Sequence, residues 1–337
     1  MFTTTPNHPP KTIVEDISGW LRLYSDGTVD RTWTGPPQIL SAFQTIPPTN
    51  GDYVDGVATH DVILDPLSDV LFRLYLPLPS PHHPHLPLLL HFQGGGFCVS
   101  RPTWRMYHEF YSRLVRSLPA ACVSVQTRLA PEHRLPAAVD DCLSALSWLR
   151  SSPSDVLASA GVDLTRVFLI GDSSGGNLVH QVAARAGDVS PVRIAGAIPI
   201  HPGFVRARRS ASEKDLGNES PMLTLDMLDR FLALALPEGE TKDHPITCPM
   251  GEEGFVEEVV GQMPPMMVVV AEKDLIRDTE MEYVEAARKA GLEVEVLVNE
   301  GVGHSFYLNS FAVKEDPKTA EETEKLIDGI RDFVRRH

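Results

Sequence analysis

The chain has 337 residues, 42% hydrophobic and 22% charged, so it can bury a sizeable core and global disorder is excluded. Its formal charge of −15 argues against a nucleic-acid partner, which needs a basic face, and against an anionic membrane surface. No apolar run approaches the roughly 18–20 residues of a membrane span.

Taken in chain order, residues 20–33 alternate around Ser25-Asp26-Gly27 and predict a hairpin. Residues 71–77 predict another alternating strand. The proline-rich stretch 77–87 carries His82, His83 and His85. A solvated, proline-stiffened connection is expected there rather than a metal site, which needs structured supporting partners. From residue 87 the pattern becomes strand, helix, strand, helix. Buried strands are predicted at 87–92, 120–127, 166–171, 193–200, 266–271 and 292–298. A helix is predicted over 103–118, with Met106, Phe110 and Leu114 on one face. The next runs from Pro136, a favoured first helical position, to about Arg150. Further helices begin near Ser174 and span 279–290, the latter stopped by Gly291. Leu326, Ile330 and Phe333 mark the buried stripe of a last helix.

This alternation implies an α/β class with a mostly parallel sheet covered on both faces, and the early hairpin implies a mixed edge. Residues 203–250 break the pattern. They include 222–236, a helix apolar over a wide face, which suits either a cap over a site or ordinary packing. No internal boundary is evident, so one domain over 1–337 is expected. The four cysteines, Cys98, Cys122, Cys142 and Cys248, are scattered without a C-x-x-C pair, and the N-terminus lacks a signal-peptide core. A reduced, cytoplasmic protein is the expectation.

The strongest chemical signal is Gly171-Asp172-Ser173-Ser174-Gly175, which fits G-x-S-x-G between a predicted strand and a predicted helix. That turn is tight and needs small residues beside Ser173. A phosphate-binding turn is the competing reading, but the Lys of a P-loop and the G-x-G-x-x-G spacing are missing. A serine nucleophile needs donors for an oxyanion. Gly94-Gly95-Gly96 follow the strand 87–92, where three glycines free the backbone N–H groups, and the Ser174 N–H is a third donor. An acid and then a histidine should follow. Asp274, 101 residues after Ser173, is favoured over Glu272 and over Asp278, which reads as a helix N-cap. His304, 30 residues further on, lies among small residues in a loop. Both loops follow strand C-termini, where α/β sheets place their sites. His201 and His91 read as structural residues, Asp172 as a brace for the elbow or a neighbouring loop, and Cys98 as a small buried hydrophobe.

These residues, with the segments GWLRLYSDGTVDRTWTGPP, LHFQGGGFCVS, LAPEHRLPAA, GDSSGGN, GAIPIHPGF, AEKDLIRDTE and GVGHSFYLN, resemble the hormone-sensitive-lipase-like α/β-hydrolases, specifically the plant carboxylesterases. Within them the likeness is to the branch typified by a tobacco hypersensitive-response-related serine hydrolase. The resemblance runs from about residue 13 to the C-terminus. It implies an α/β-hydrolase fold with a helical cap at 203–250 and an N-terminal lid at 13–45. It implies a Ser173–His304–Asp274 triad, an oxyanion hole from Gly95, Gly96 and Ser174 with Gly94 shaping the turn, and structural roles for Glu132 and Arg134 in bracing the sheet and elbow. It implies a small-molecule ester as substrate and no cofactor or metal.

Two residues depart from the wider pattern. Gln93 stands where the family has His, so altered anchoring of the glycine loop is expected, since a Gln amide both donates and accepts. Thr127 replaces a Tyr, with an effect on packing only. The expected activity is ester hydrolysis through an acyl-enzyme, its rate rising from acid toward neutral pH because a general base must be unprotonated. The family scaffold also serves elimination, lactone formation and cyclisation, and the gibberellin receptor, which has lost the triad histidine. Product analysis separates the first group, and covalent labelling of Ser173 separates the last.

Overall fold

The computed structural model describes residues 11–65, 70–151, 155–187, 189–217, 222–251, 260–261 and 263–337. Residues 1–10 of the predicted domain and 218–221 of the predicted cap lie outside the described residues. The centre is an eight-stranded sheet. Its strands are β4 (Val57–Asp65), β5 (Val70–Pro77), β6 (Leu86–Phe92), β7 (Ala121–Val125), β8 (Val162–Asp172), β9 (Ile194–Ile200), β10 (Met266–Ala271) and β11 (Val294–Asn299). They lie in the order β11-β10-β9-β8-β6-β7-β5-β4. Pairing is parallel from β11 to β7 and antiparallel among β7, β5 and β4. Runs such as Leu88–Phe92 and Val167–Ile170 are fully buried, because helices cover both faces of a parallel sheet.

The helices between strands are α1 (Arg105–Ser117), α2 (Ala137–Ser151), α3 (Asp155–Ser159) and α4 (Ser174–Arg185). After β9 come α5 (Ala211–Leu216) and α6 (Leu225–Ala235). Then follow α7 (Arg277–Lys289), α8 (Ser310–Glu315) and α9 (Pro317–Arg336). Thr224 caps α6 by accepting the Met227 N–H at 3.2 Å, and Ser210 and Glu213 cap α5 reciprocally. No helix among the described residues is long and apolar enough to cross a membrane. All four cysteines are unpaired and buried.

Two expectations need correction. The early hairpin forms, as β2 (Leu21–Tyr24) and β3 (Val29–Asp30), but it does not join the central sheet. It pairs instead with β1 (Ile13–Ile17) in a separate antiparallel sheet, and β4 and β5 supply the mixed edge. Asp278 is not an N-cap. The cap of α7 is Ile276, two residues earlier, and the Asp278 carboxylate lies in the first turn, accepting the Ser212 N–H at 2.8 Å.

Register positions the site. Phe92 of β6 lies beside Gly171 of β8, Asp172 beside Ile200 of β9, and Ala271 of β10 beside Asn299 of β11. The carboxyl ends of five parallel strands are therefore level. The loops that follow them, carrying Gly94–Gly96, Ser173, His201, Asp274 and His304, emerge along one edge.

Candidate active site

Ser173 sits at the junction of β8 and α4 with φ 53° and ψ −124°, a left-handed conformation that costs a non-glycine residue about 1–3 kcal/mol. Three backbone bonds hold it there. The Ser173 N–H donates to Ile200 O at 2.9 Å, and its carbonyl accepts the Gly176 and Gly203 N–H groups at 2.8 and 2.9 Å. The turn closes only because Gly175 lacks a Cβ, which would lie 2.1 Å from the Phe92 carbonyl.

The structure brings the three predicted residues into one hydrogen-bonded chain. Ser173 Oγ lies 2.9 Å from His304 Nε2, and His304 Nδ1 lies 2.6 Å from Asp274 Oδ2. A carboxylate only accepts, so Nδ1 carries the proton and Nε2 is free to take one from the serine. Asp274 is fully buried. Burial opposes its charge, but the His304 charge and hydrogen bond, with the Ile276 N–H at 3.1 Å, hold its carboxyl below the usual range.

The two acids passed over have other tasks. Glu272 Oε2 accepts the Gly301 N–H at 2.7 Å, pinning the start of the His304 loop. Lys273 N–H donates to Val302 O at 2.9 Å, and Ser305 N–H donates to His201 Nδ1 at 3.0 Å. His201 is fully buried, and burial lowers its pKa to about 3, so it stays a neutral acceptor. The His304 loop is thus tied at three points.

The glycine loop lies opposite. Gly95 and Gly96 have φ of 96° and 61°, open to glycine and strained for other residues. Among the described residues none accepts the N–H of Gly95 or Gly96, and both glycines line the same pocket as Ser173. Gly94 N–H donates to Tyr107 Oη at 3.1 Å, which donates to Asp172 Oδ2 at 3.0 Å. Asp172 Oδ1 meets His91 Nε2 at 3.2 Å, and His91 Nδ1 meets Ser124 Oγ at 2.6 Å. Burial lowers the His91 pKa, so the ring is neutral, donating from Nε2 and accepting at Nδ1. Asp172 braces the glycine turn from below. Gln93 Nε2 donates to Ser100 O at 3.1 Å and so anchors the loop's far end. Ser174 Oγ accepts the Phe97 N–H at 3.2 Å. Cys98 is fully buried, and burial pushes its thiol pKa up.

Glu132 and Arg134 need correction, because neither reaches the sheet or the elbow. Glu132 pairs with Arg31, and Arg134 Nη1 donates to Ala233 O and Leu236 O at the end of α6. They tie down the chain after β3 and the end of α6, near the pocket-lining Trp20 and Phe231. Sequence reading passed over Arg31, whose partners Cys98, Ala130 and Glu132 lie 67, 99 and 101 residues away.

The pocket over Ser173 is lined by Trp20, Phe97, Trp104, Leu223, Met227 and Phe231, among others. Among the described residues that line it, Asp172, His304 and Tyr107 carry the ionisable side chains. Trp20 and Trp33 join Phe43 and Trp104 in one aromatic cluster, with successive centroids 4.7–5.1 Å apart. A polar floor under an apolar roof can position a neutral acyl group over the serine.

A model of the α/β-hydrolase fold matches residues 89–308, well over half of the chain. The chain belongs to this family. It is 35% identical over 317 residues to the Arabidopsis thaliana protein named "Probable carboxylesterase 6", covering 91% of this chain and 88% of that one. It is 37% identical over 273 residues to gibberellin receptor GID1C of the same plant, covering 77% and 78%. Among solved structures, carboxyl esterase 2 of the mycorrhizal fungus Tuber melanosporum superposes with a TM-score of 0.69 at 24% identity, covering 85% of this chain and 88% of that one. That likeness shows the family fold.

Proposed function

We propose that this α/β-hydrolase-fold chain is a serine carboxylic ester hydrolase acting on small, uncharged, lipophilic esters. The observation that carries the reading is the chain from Ser173 Oγ through His304 to buried Asp274 at the floor of an apolar pocket. Similarity to a plant carboxylesterase supports it. Ser173 Oγ attacks the ester carbonyl while His304 Nε2 takes its proton. Asp274 keeps the imidazole in the required tautomer and balances the imidazolium. The N–H groups of Gly95, Gly96 and Ser174 receive the oxyanion, with Gly94 forming the turn. His304 then protonates the leaving alcohol, and water releases the acyl group by the reverse route. No metal or cofactor enters these steps.

In this reading the chain is one domain, with 13–45 as lid and 203–250 as cap. The tobacco-like branch, with Gln93 anchoring the glycine loop, is its proposed place within the family. Four unpaired thiols suit a reducing compartment, and we place the protein in the cytoplasm.

The test is turnover of p-nitrophenyl acetate, butyrate and octanoate by wild type and Ser173→Ala. Turnover in wild type that falls at least about 10⁴-fold in the variant is the expected result. Undiminished turnover in Ser173→Ala, or none in folded wild type, sinks the reading. The likeness to a gibberellin receptor raises a second reading, ligand binding without turnover. It predicts a Ser173 that resists covalent labelling by an organophosphate.

A further inference from the structure

We infer that Arg31 is a positioning residue of the oxyanion site, holding the Gly96 N–H in place through two relayed peptide groups. This rests on the hydrolase reading above. Arg31 lies just after β3, in the segment that covers the pocket, and touches none of the reacting atoms. Its Nε–H donates to Cys98 O at 2.6 Å. That carbonyl belongs to the Cys98–Val99 peptide, whose N–H donates to Gly95 O at 3.1 Å. Gly95 O in turn belongs to the peptide that presents the Gly96 N–H. Each peptide is planar, so fixing its oxygen fixes the direction of its N–H.

A second arm reaches the same oxygen. Arg31 Nη2 donates to Ala130 O at 2.9 Å, and Ala130 N–H donates to Phe97 O at 3.0 Å. The Phe97–Cys98 peptide then donates its N–H to Gly95 O at 3.1 Å. The Val99 N–H is therefore held through one rigid peptide, and the Cys98 N–H through the backbone of Ala130, whose N–H and oxygen belong to adjacent peptide groups and are linked less stiffly. Glu132 completes the arrangement, accepting from Nη1 at 2.8 Å and from Nη2 at 2.5 Å, which fixes the plane of the fork. Hydrogen bonds in series polarise one another, so a cation at the head of the relay also strengthens the last N–H as a donor. A lysine offers a point charge without the planar fork and cannot serve both carbonyls and the carboxylate in this geometry.

The geometry predicts a loss in transition-state binding rather than in substrate binding. The full chain is assayed as wild type, Arg31→Ala and Arg31→Lys with p-nitrophenyl butyrate. Each is also titrated with a trifluoromethyl ketone, whose adduct with serine carries an oxyanion. Arg31→Ala is expected to lower kcat about tenfold with KM within threefold, and to weaken the ketone by a matching factor. Arg31→Lys is expected to recover part of both. Loss confined to KM, kcat within twofold of wild type, or a fall in kcat with unchanged ketone affinity overturns the inference. If Arg31→Ala does not fold, Glu132→Gln decides alongside Arg31→Lys. It leaves the carbonyl contacts and one acceptor oxygen to hold the fork, and should lose less than threefold in kcat, whereas a tenfold loss would assign the effect to the charge of the ion pair and overturn the relay. Turnover surviving Ser173→Ala would remove the hydrolase reading itself. A neutral Arg31 beside an essential Ser173 would remove only the relay.

Discussion

The floor and the roof of the pocket are built on different physics. The floor is directional. Ser173 is held in a left-handed turn by three backbone bonds, His304 by a loop tied at Gly301, Val302 and Ser305, and Gly94 by a buried relay through Tyr107 to Asp172. Each bond is short-range and buried, and its loss leaves an unpaired polar group. The roof is largely non-directional. Trp20, Leu223, Met227 and Phe231 present carbon surface, and the segments bearing them are fastened by half-exposed ion pairs such as Arg230 with Glu15. Exposed pairs contribute little individually. The floor should therefore fail abruptly under substitution, while the roof should change what it admits.

The largest effect expected after Ser173→Ala is from Asp274→Asn. It keeps the shape and reverses the preferred tautomer of His304, so kcat should fall on the order of 10⁴-fold, as steady-state kinetics would show. Glu272→Gln keeps Asp274 and weakens only the tie at Gly301, so about tenfold or less is expected. Equal losses from the two would erase the distinction between orienting the imidazole and tying its loop.

Gly96→Ala tests where floor meets roof. A Cβ there would lie 2.8 Å from the Phe231 side chain, at a φ of 61°. About a 10²-fold loss in kcat is expected, with KM moving less. Phe231→Ala, on the roof, should preserve turnover and shift the octanoate-to-acetate ratio of kcat/KM upward by about tenfold. A collapse of all three substrates together would make Phe231 part of the floor.

The smallest effect concerns stability. Glu280, on α7, is fully buried with no hydrogen-bond partner for either oxygen among the described residues. Burial, with the Asp274 charge second, holds its carboxyl well above the usual range. The folded state therefore keeps a proton that the unfolded chain releases above about pH 4.3. Stability from this group is complete below that pH and declines as pH rises toward the folded value. Glu280→Gln should raise the Tm at pH 8, on the order of 2 °C, and leave it nearly unchanged at pH 4. A larger gain at pH 4 than at pH 8 would reverse the assignment.

Most of the floor could be read from the sequence because its geometry is local. G-x-S-x-G requires a strand before it and a helix after it, and β8 and α4 flank Ser173 as that pattern demands. The parallel core was visible as uninterrupted apolar runs. What escaped is set by partners far along the chain. The hairpin was visible, but its separation from the central sheet depends on pairing with β1, whose sequence IVEDI alternates poorly. β4 is the edge strand beyond β5 among the described residues, so its mixed sequence VATHDVILD gave no strand signal. Asp278 lost its capping role when α7 began earlier, and its partner Ser212 lies 66 residues away. Glu132 and Arg134 face partners 99 to 102 residues distant, which no window on the sequence contains.

The four thiols, all buried and none in a disulfide, bear on how the molecule can be watched. A maleimide dye finds no native thiol on the folded surface. Leu40, on the covering segment, is 46% exposed, so Leu40→Cys creates a single labelling point without first stripping cysteines from the core. Trp104, which lies outside that segment and lines the pocket, then serves as a native quencher. The protein carries its own optical ruler for the distance between the covering segment and the pocket.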